Sequence, residues 1–264
     1  MSSVEDVVSG RARWCVVERD AMAVLADLPN GCVDAVVTDP PYSSGGQFKA
    51  DRSMKTSTKY VQSGTERELP EFSGDNRDQR SFSYWCSLWM GEAMRACVPG
   101  AVLAAFTDWR QLPTMTDAVQ CGGWIWRGIV PWVKTMYRPT MNRFGSQCEY
   151  LVWATNGGRP LDGGPPLPGF YEGNAPQQRE HMTQKPIEVM RGIVRIAPPN
   201  GLVLDPFAGS GTTGVAAVME GRRAIVCEIV PEFAEIARQR MAAAEAGTDY
   251  RNPNQGGLFA KGGA

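Results

Sequence analysis

An acid, two prolines and an aromatic ring, Asp39-Pro40-Pro41-Tyr42, close the apolar run Val33-Asp34-Ala35-Val36-Val37-Thr38. The run reads as a buried strand, and the prolines end its ladder and stiffen the chain that follows. Asp39 and Tyr42 are therefore held at a strand's carboxyl end, the edge where ligands bind in open α/β sheets. A carboxylate and a proline carbonyl that only accept hydrogen bonds, beside a flat ring, suit an exocyclic amino group on a planar base. The plain alternative is a rigid turn with Tyr42 packed on the core.

A second element narrows the chemistry. Leu202-Val203-Leu204 leads into Asp205-Pro206-Phe207-Ala208-Gly209-Ser210-Gly211-Thr212-Thr213, a strand running through small residues into a helix. Backbone can approach a ligand closely at such a turn. It lacks the lysine of a phosphate-cradling loop and the full dinucleotide spacing, so a neutral or cationic nucleoside fits better than a phosphate. Glu228, closing the strand Ala224-Ile225-Val226-Cys227, is placed to take both hydroxyls of a ribose.

The pair of motifs, in this order, resembles the β group of S-adenosylmethionine-dependent DNA amino-methyltransferases, which methylate an exocyclic amine of adenine or cytosine. The resemblance extends from about Trp14 to Ala246. It implies that Asp39, Pro40, Pro41 and Tyr42 are catalytic. It also implies that Asp20, after Trp14-Cys15-Val16-Val17, contacts the cofactor's adenine. The segment His181-Met182-Thr183-Gln184-Lys185-Pro186 is similar to the family's cofactor-side motif. The implied cofactor set is thus Asp20, Asp39, Gln184, Lys185, Pro186, Asp205, Pro206, Phe207, Gly209, Ser210, Gly211, Thr212, Thr213 and Glu228. An Asp at the first catalytic position resembles the adenine enzymes, whereas Ser is usual in the cytosine ones. N6 of a flipped adenine is the expected target; N4 of cytosine is the alternative, and an inactive DNA-binding module of the same fold a second one. No Pro-Cys pair occurs, which argues against methylation of a ring carbon through a thiolate.

Strand and helix patterns alternate around these motifs, which argues a doubly wound, Rossmann-like α/β fold. Helices are expected over 21–28, 81–97, 113–120, after Pro186 and after Pro231; strands over 101–106, 124–133 and 149–155, the last two as an antiparallel hairpin. The resemblance implies a mostly parallel sheet of seven strands, six parallel and one antiparallel. Residues 1–246 read as a single domain, and the polar, glycine-rich residues 247–264 as a disordered tail.

Composition sets limits. The 264 residues carry 27 basic and 28 acidic side chains, so bulk charge does not draw this chain to double-stranded DNA. Contact must come from local clusters. Lys49, Arg52, Lys55, Lys59 and Tyr60, in the polar stretch 43–80, and Arg138 and Arg143, between the hairpin strands, are the expected DNA contacts. The stretch 156–180, rich in Gly and Pro, is a second expected recognition loop. The seven cysteines have no paired or zinc-like spacing, which reads as a reduced, cytoplasmic protein without metal and excludes the zinc-dependent base deaminases. No membrane-length apolar segment is present. The family, and eight tryptophans that one core need not bury, lead us to expect a homodimer. In the tail, Gln255, Leu258 and Phe259 resemble the short peptides by which bacterial replication proteins dock on the sliding clamp.

Overall fold

The computed structural model describes residues 2–43, 77–137, 139, 141–159, 164, 166–174, 176 and 184–250, with the backbone of 252–256. In chain order the elements are α1 (Val4–Val8), β1 (Trp14–Glu18), α2 (Ala21–Asp27), β2 (Val33–Thr38), α3 (Gln79–Ala96), β3 (Cys97–Thr107) and α4 (Leu112–Cys121). They continue with β4 (Ile125–Val133), β5 (Cys148–Thr155), β6 (Tyr171–Glu172), α5 (Ile187–Val194), β7 (Leu202–Asp205), α6 (Thr212–Met219), β8 (Arg223–Glu228) and α7 (Pro231–Ala246). Two short strands, β9 (Thr248–Asp249) and β10 (Asn252–Gly256), follow.

The main sheet has the order β1-β8-β7-β2-β3-β5-β4-β6. Only β5 runs against its neighbours, pairing antiparallel with both β3 and β4. Seven of its strands match the expected six parallel and one antiparallel; the two-residue β6 is an addition. Its anchor is Trp132, whose indole Nε1 donates to the Gly173 carbonyl (2.8 Å) while the Gly173 N–H donates to the Val133 carbonyl (3.1 Å).

Strand residues alternate between two cores, as the pleat requires. Leu103, Ala105, Leu202 and Leu204 meet Leu25, Phe82, Trp89 and Met115 from α1–α4 on one face. Val102, Ala104, Phe106 and Val203 meet Val189, Ile193, Val215 and Met241 from α5–α7 on the other. The result is a three-layer α/β/α domain.

Local chemistry explains the differences from expectation. α3 begins two residues before Ser81 because the Asp78 carboxylate caps it, accepting from the N–H groups of Arg80 (3.0 Å) and Ser81 (2.9 Å). β3 begins at Cys97, and the Asn156 side-chain amide donates to the Cys97 and Val98 carbonyls, both at 3.2 Å. The expectation of a structureless tail needs correction at its start. Gly247, left-handed at φ 69°, caps α7 and turns the chain, and β9 then pairs antiparallel with β10. Leu258 and Phe259 lie outside the described residues, as does the side chain of Gln255.

Candidate active site

All the parallel strands deliver their carboxyl ends to one edge, and the antiparallel β5 begins there. Reading along that edge, β1 supplies Asp20, β8 Glu228, β7 the glycine turn, β2 Asp39, and β4 and β5 supply Lys134 and Glu149. The motifs are thus neighbours in space because the topology puts β7 beside β2. A direct bond joins the two halves: the Thr38 hydroxyl donates to Asp205 Oδ1 at 2.6 Å, a buried contact.

On the catalytic side Asp39 is engaged at both oxygens. The Tyr42 hydroxyl lies 2.5 Å from Oδ1, and the Lys185 ammonium 2.5 Å from Oδ2. Glu149 Oε2 is 3.1 Å from that hydroxyl and 3.1 Å from the same ammonium, while Lys134 Nζ holds Oε1 at 2.5 Å. Lys185 is 5 % exposed and sits among the rings of Tyr42, Phe106 and Trp132, with centroids 5.1–5.8 Å away. Just beyond Tyr42, Ser43 is left-handed at φ 50°, and its carbonyl accepts from Gln111 Nε2 (3.2 Å). A non-glycine residue held there marks a loop shaped by its surroundings.

The electrostatics follow from burial and charge. Burial raises the Asp39 carboxyl above its usual range, opposed by the Lys185 charge and the bonds from Lys185 and Tyr42. Burial and two adjacent carboxylates push the Tyr42 phenol well up. For Lys185 burial opposes the ammonium, but Asp39 and Glu149 outweigh it and raise its pKa. Glu149 resists the same burial because two lysines face it, and it is lowered to about 2.

On the cofactor side the residues divide into two groups. Gly209 (φ 52°) donates its N–H to Glu228 Oε2 at 2.8 Å, and Glu228 Oε1 accepts from Val230 N–H at 2.8 Å. Burial raises the Glu228 carboxyl. Asp20 is exposed and caps α2 through Oδ1, accepting from Met22 (3.0 Å) and Ala23 (3.3 Å). These carboxylates at the rim of a glycine turn match the hydroxyls and positive charge of a cationic nucleoside. The remaining members support the turn from behind. Asp205, only 2 % exposed, binds the Thr38 hydroxyl, the Phe207 N–H (3.1 Å) and the Thr213 side chain, and burial raises its pKa to about 6. Arg240 reaches from α7 to the Ser210 carbonyl (2.5 Å) and hydroxyl (2.9 Å) and to Thr212 Oγ1 (3.2 Å). Phe207 packs against Trp85 and Trp89, with ring centroids 5.2 and 5.3 Å away. Pro206 is buried, and buried Pro186 is the residue before α5.

Lys185, expected among the cofactor residues, joins Asp39 to Glu149 in this structure. Sequence reasoning missed Glu149 and Lys134; the available signal was an acid two places into an otherwise apolar strand, where a buried charge must have a partner. Of the expected DNA contacts, Arg143 is exposed on the β4–β5 connection at this same edge; Lys49, Arg52, Lys55, Lys59, Tyr60 and Arg138 lie outside the described residues.

Residues 33–162 and 168–239 match the DNA methylase family of N6 and N4 enzymes. The chain belongs to that family, as a β-group amino-methyltransferase. This methylase is 28 % identical over 235 residues to the protein YubD of Escherichia coli (strain K12), covering 87 % of this chain and 90 % of that one. It is 24 % identical over 253 residues to the type II methyltransferase M2.DpnII of Streptococcus pneumoniae, with 88 % and 90 % covered. In fold it resembles the crystal structure of the M1.HpyAVI–SAM complex, with a TM-score of 0.61, 23 % identity, and 86 % of this chain and 98 % of that one covered. Among the described residues of the methylase no group of His, Cys, Asp and Glu is placed to hold a metal ion, and no helix is long and apolar enough to cross a membrane.

Proposed function

We propose that this DNA methyltransferase transfers the methyl group of S-adenosylmethionine to the N6 amine of an adenine flipped out of duplex DNA. The observation that carries the reading is a half-buried, ion-paired Asp39 fixed beside Tyr42, one strand away from a glycine turn rimmed by Glu228. When bound, S-adenosylmethionine supplies a methyl group already electrophilic on its sulfonium. Asp20, Glu228 and the backbone of Gly209 hold the nucleoside, with Asp205, Thr213 and Arg240 fixing the turn beneath.

An aromatic amine delocalises its lone pair into the ring and is a poor nucleophile. Asp39 and the Pro40 carbonyl accept its two N–H bonds and draw the nitrogen toward a tetrahedral shape, with the lone pair facing the methyl donor. The Tyr42 ring stacks on the base and offsets part of the few kcal/mol lost on unstacking. Asp39 takes the proton that the amine releases.

Adenine is favoured over cytosine by the acid at the first catalytic position. Incubating the protein with S-adenosylmethionine and duplex DNA of varied sequence, then digesting to nucleosides for mass spectrometry, should give N6-methyladenine. N4-methylcytosine would overturn the choice of base, and no methylated nucleoside the activity itself.

The functional unit in this reading is a homodimer. Of the tryptophans, Trp89, Trp124 and Trp132 are buried, so aromatic surplus is a weaker argument than the sequence suggested. The edge of β4 is the better one. Among the described residues β6 covers only Trp132 and Val133, and Ile125, Trp126 and Ile129 are 38–45 % exposed along the rest. Light scattering at micromolar concentration should report twice the monomer mass, reduced by Ile129→Lys; a fully active monomer would refute the dimer.

A further inference from the structure

Both oxygens of Asp39 are taken before any base arrives, so an incoming amine must displace or share a partner. The Tyr42 hydroxyl has one proton and can serve one acceptor at a time, yet two lie within reach, Asp39 Oδ1 at 2.5 Å and Glu149 Oε2 at 3.1 Å. Lys185 touches the same two carboxylates. We propose that Lys185 and Glu149 are positioning residues for the catalytic carboxylate: Lys185 anchors Asp39 through Oδ2, while Glu149 takes over the Tyr42 hydroxyl and so frees Oδ1 for the substrate N–H. This inference rests on the amino-methyltransfer reading above.

The surroundings fit such a handover. Lys185 is enclosed by three rings and cannot swing away without leaving two carboxylates facing each other. Lys134 clamps the far oxygen of Glu149, which keeps Oε2 turned to Lys185 and Tyr42. Glu149 stays charged through the working range because of those two lysines, so it remains an acceptor when the hydroxyl arrives. The handover leaves the Tyr42 hydroxyl with an acceptor throughout, so no donor is stranded as the base enters.

Among the described residues, the titratable and charged groups facing Asp39 are Tyr42 on its own loop, Lys185 before α5, Glu149 on β5 with Lys134 behind it, and Asp205 on β7. Lys185 is the only one of these that favours the anion by charge at close range. Without it, Asp39 moves further up, fewer molecules carry the anion at neutral pH, and the acidic limb of the rate profile moves to higher pH.

The test is single-turnover methylation of a duplex at saturating S-adenosylmethionine, from about pH 5 to pH 9, with cofactor affinity measured by calorimetry on the same samples. Lys185→Met should slow transfer about 100-fold at neutral pH, shift the acidic limb upward and leave cofactor affinity within about threefold; Lys185→Arg should restore most of the rate. Because Lys185→Met strands two carboxylates and can unfold the site, Lys185→Met with Glu149→Gln provides a folded variant that should show the same limb shift. Glu149→Gln alone should slow transfer about tenfold, and by less in a Tyr42→Phe background, where no hydroxyl is left to hand over. An unchanged pH profile, or a loss confined to cofactor affinity, would overturn the role of Lys185; an equal cost of Glu149→Gln in both backgrounds would overturn the handover. A wild-type protein that methylates no DNA would instead sink the parent reading.

Discussion

Asp39→Ala is expected to cut methyl transfer by at least about 1000-fold while cofactor affinity stays within a few-fold. The asymmetry follows from where the residue sits. Asp39 belongs to the half of the edge built by β2, β3 and β5, and its partners are Tyr42 and Lys185. The turn that receives the nucleoside hangs from β7 and β8 and keeps all of its own bonds, from Thr38 to Asp205 and from Gly209 to Glu228. Removing the carboxylate therefore deletes an interaction that grows in the transition state and little that the resting enzyme needs. The fold should survive, since Lys185 retains Glu149 at 3.1 Å. Asp39→Asn, which keeps the size but cannot take a proton, should be nearly as inactive. Single-turnover rates with calorimetry on both variants check this, and methylation within tenfold of wild type by either would remove Asp39 from the chemistry.

Much of this arrangement was legible in the residues because the informative elements are local. A strand ending in Asp-Pro-Pro-Tyr, and a strand that passes through Gly209 and Gly211 into a helix, specify their backbone by sterics alone. Helices with a proline in the first turn, such as α7 at Pro231, were equally readable. What was not legible depends on partners far apart in the chain. Lys185 follows the expected motif, yet its contact with Asp39 spans 146 residues and exists only because α5 starts beneath the end of β2. Glu149 gains its role because β5 runs against the sheet and starts where the other strands finish. Asp205 has the pattern of a ligand contact, but its bond from the Thr38 hydroxyl, 167 residues away, could not be read from the chain. β6 gave no periodic signal, since two residues are too few to show one.

The two glycines of the turn differ in a way that yields the second large effect. Gly209 lies at the half-exposed rim, whereas Gly211 is buried, with φ 79°, against α7. A side chain at Gly211 would place its Cβ 2.7 Å from Ala237 Cβ and 3.0 Å from Ala237 Cα, and backbone of a packed helix cannot yield cheaply. Gly211→Val adds a β-branched residue in the left-handed region to that overlap, for a combined cost of about 3–5 kcal/mol. In a domain of this size that corresponds to a Tm lower by about 10 °C. Because Arg240 holds Ser210 and Thr212 from the same helix, displacement of α7 should also move the Gly209 N–H away from Glu228 and weaken cofactor binding about 100-fold or more. Gly221 provides the control, being left-handed at φ 70° with nothing within 4 Å of its Cβ position. Gly221→Val should show the backbone strain alone, about 1–2 kcal/mol, with cofactor affinity unchanged. Thermal unfolding and calorimetry on the two variants separate contact from strain; equal losses of Tm, or full cofactor affinity in Gly211→Val, would show that the turn does not depend on its packing against α7.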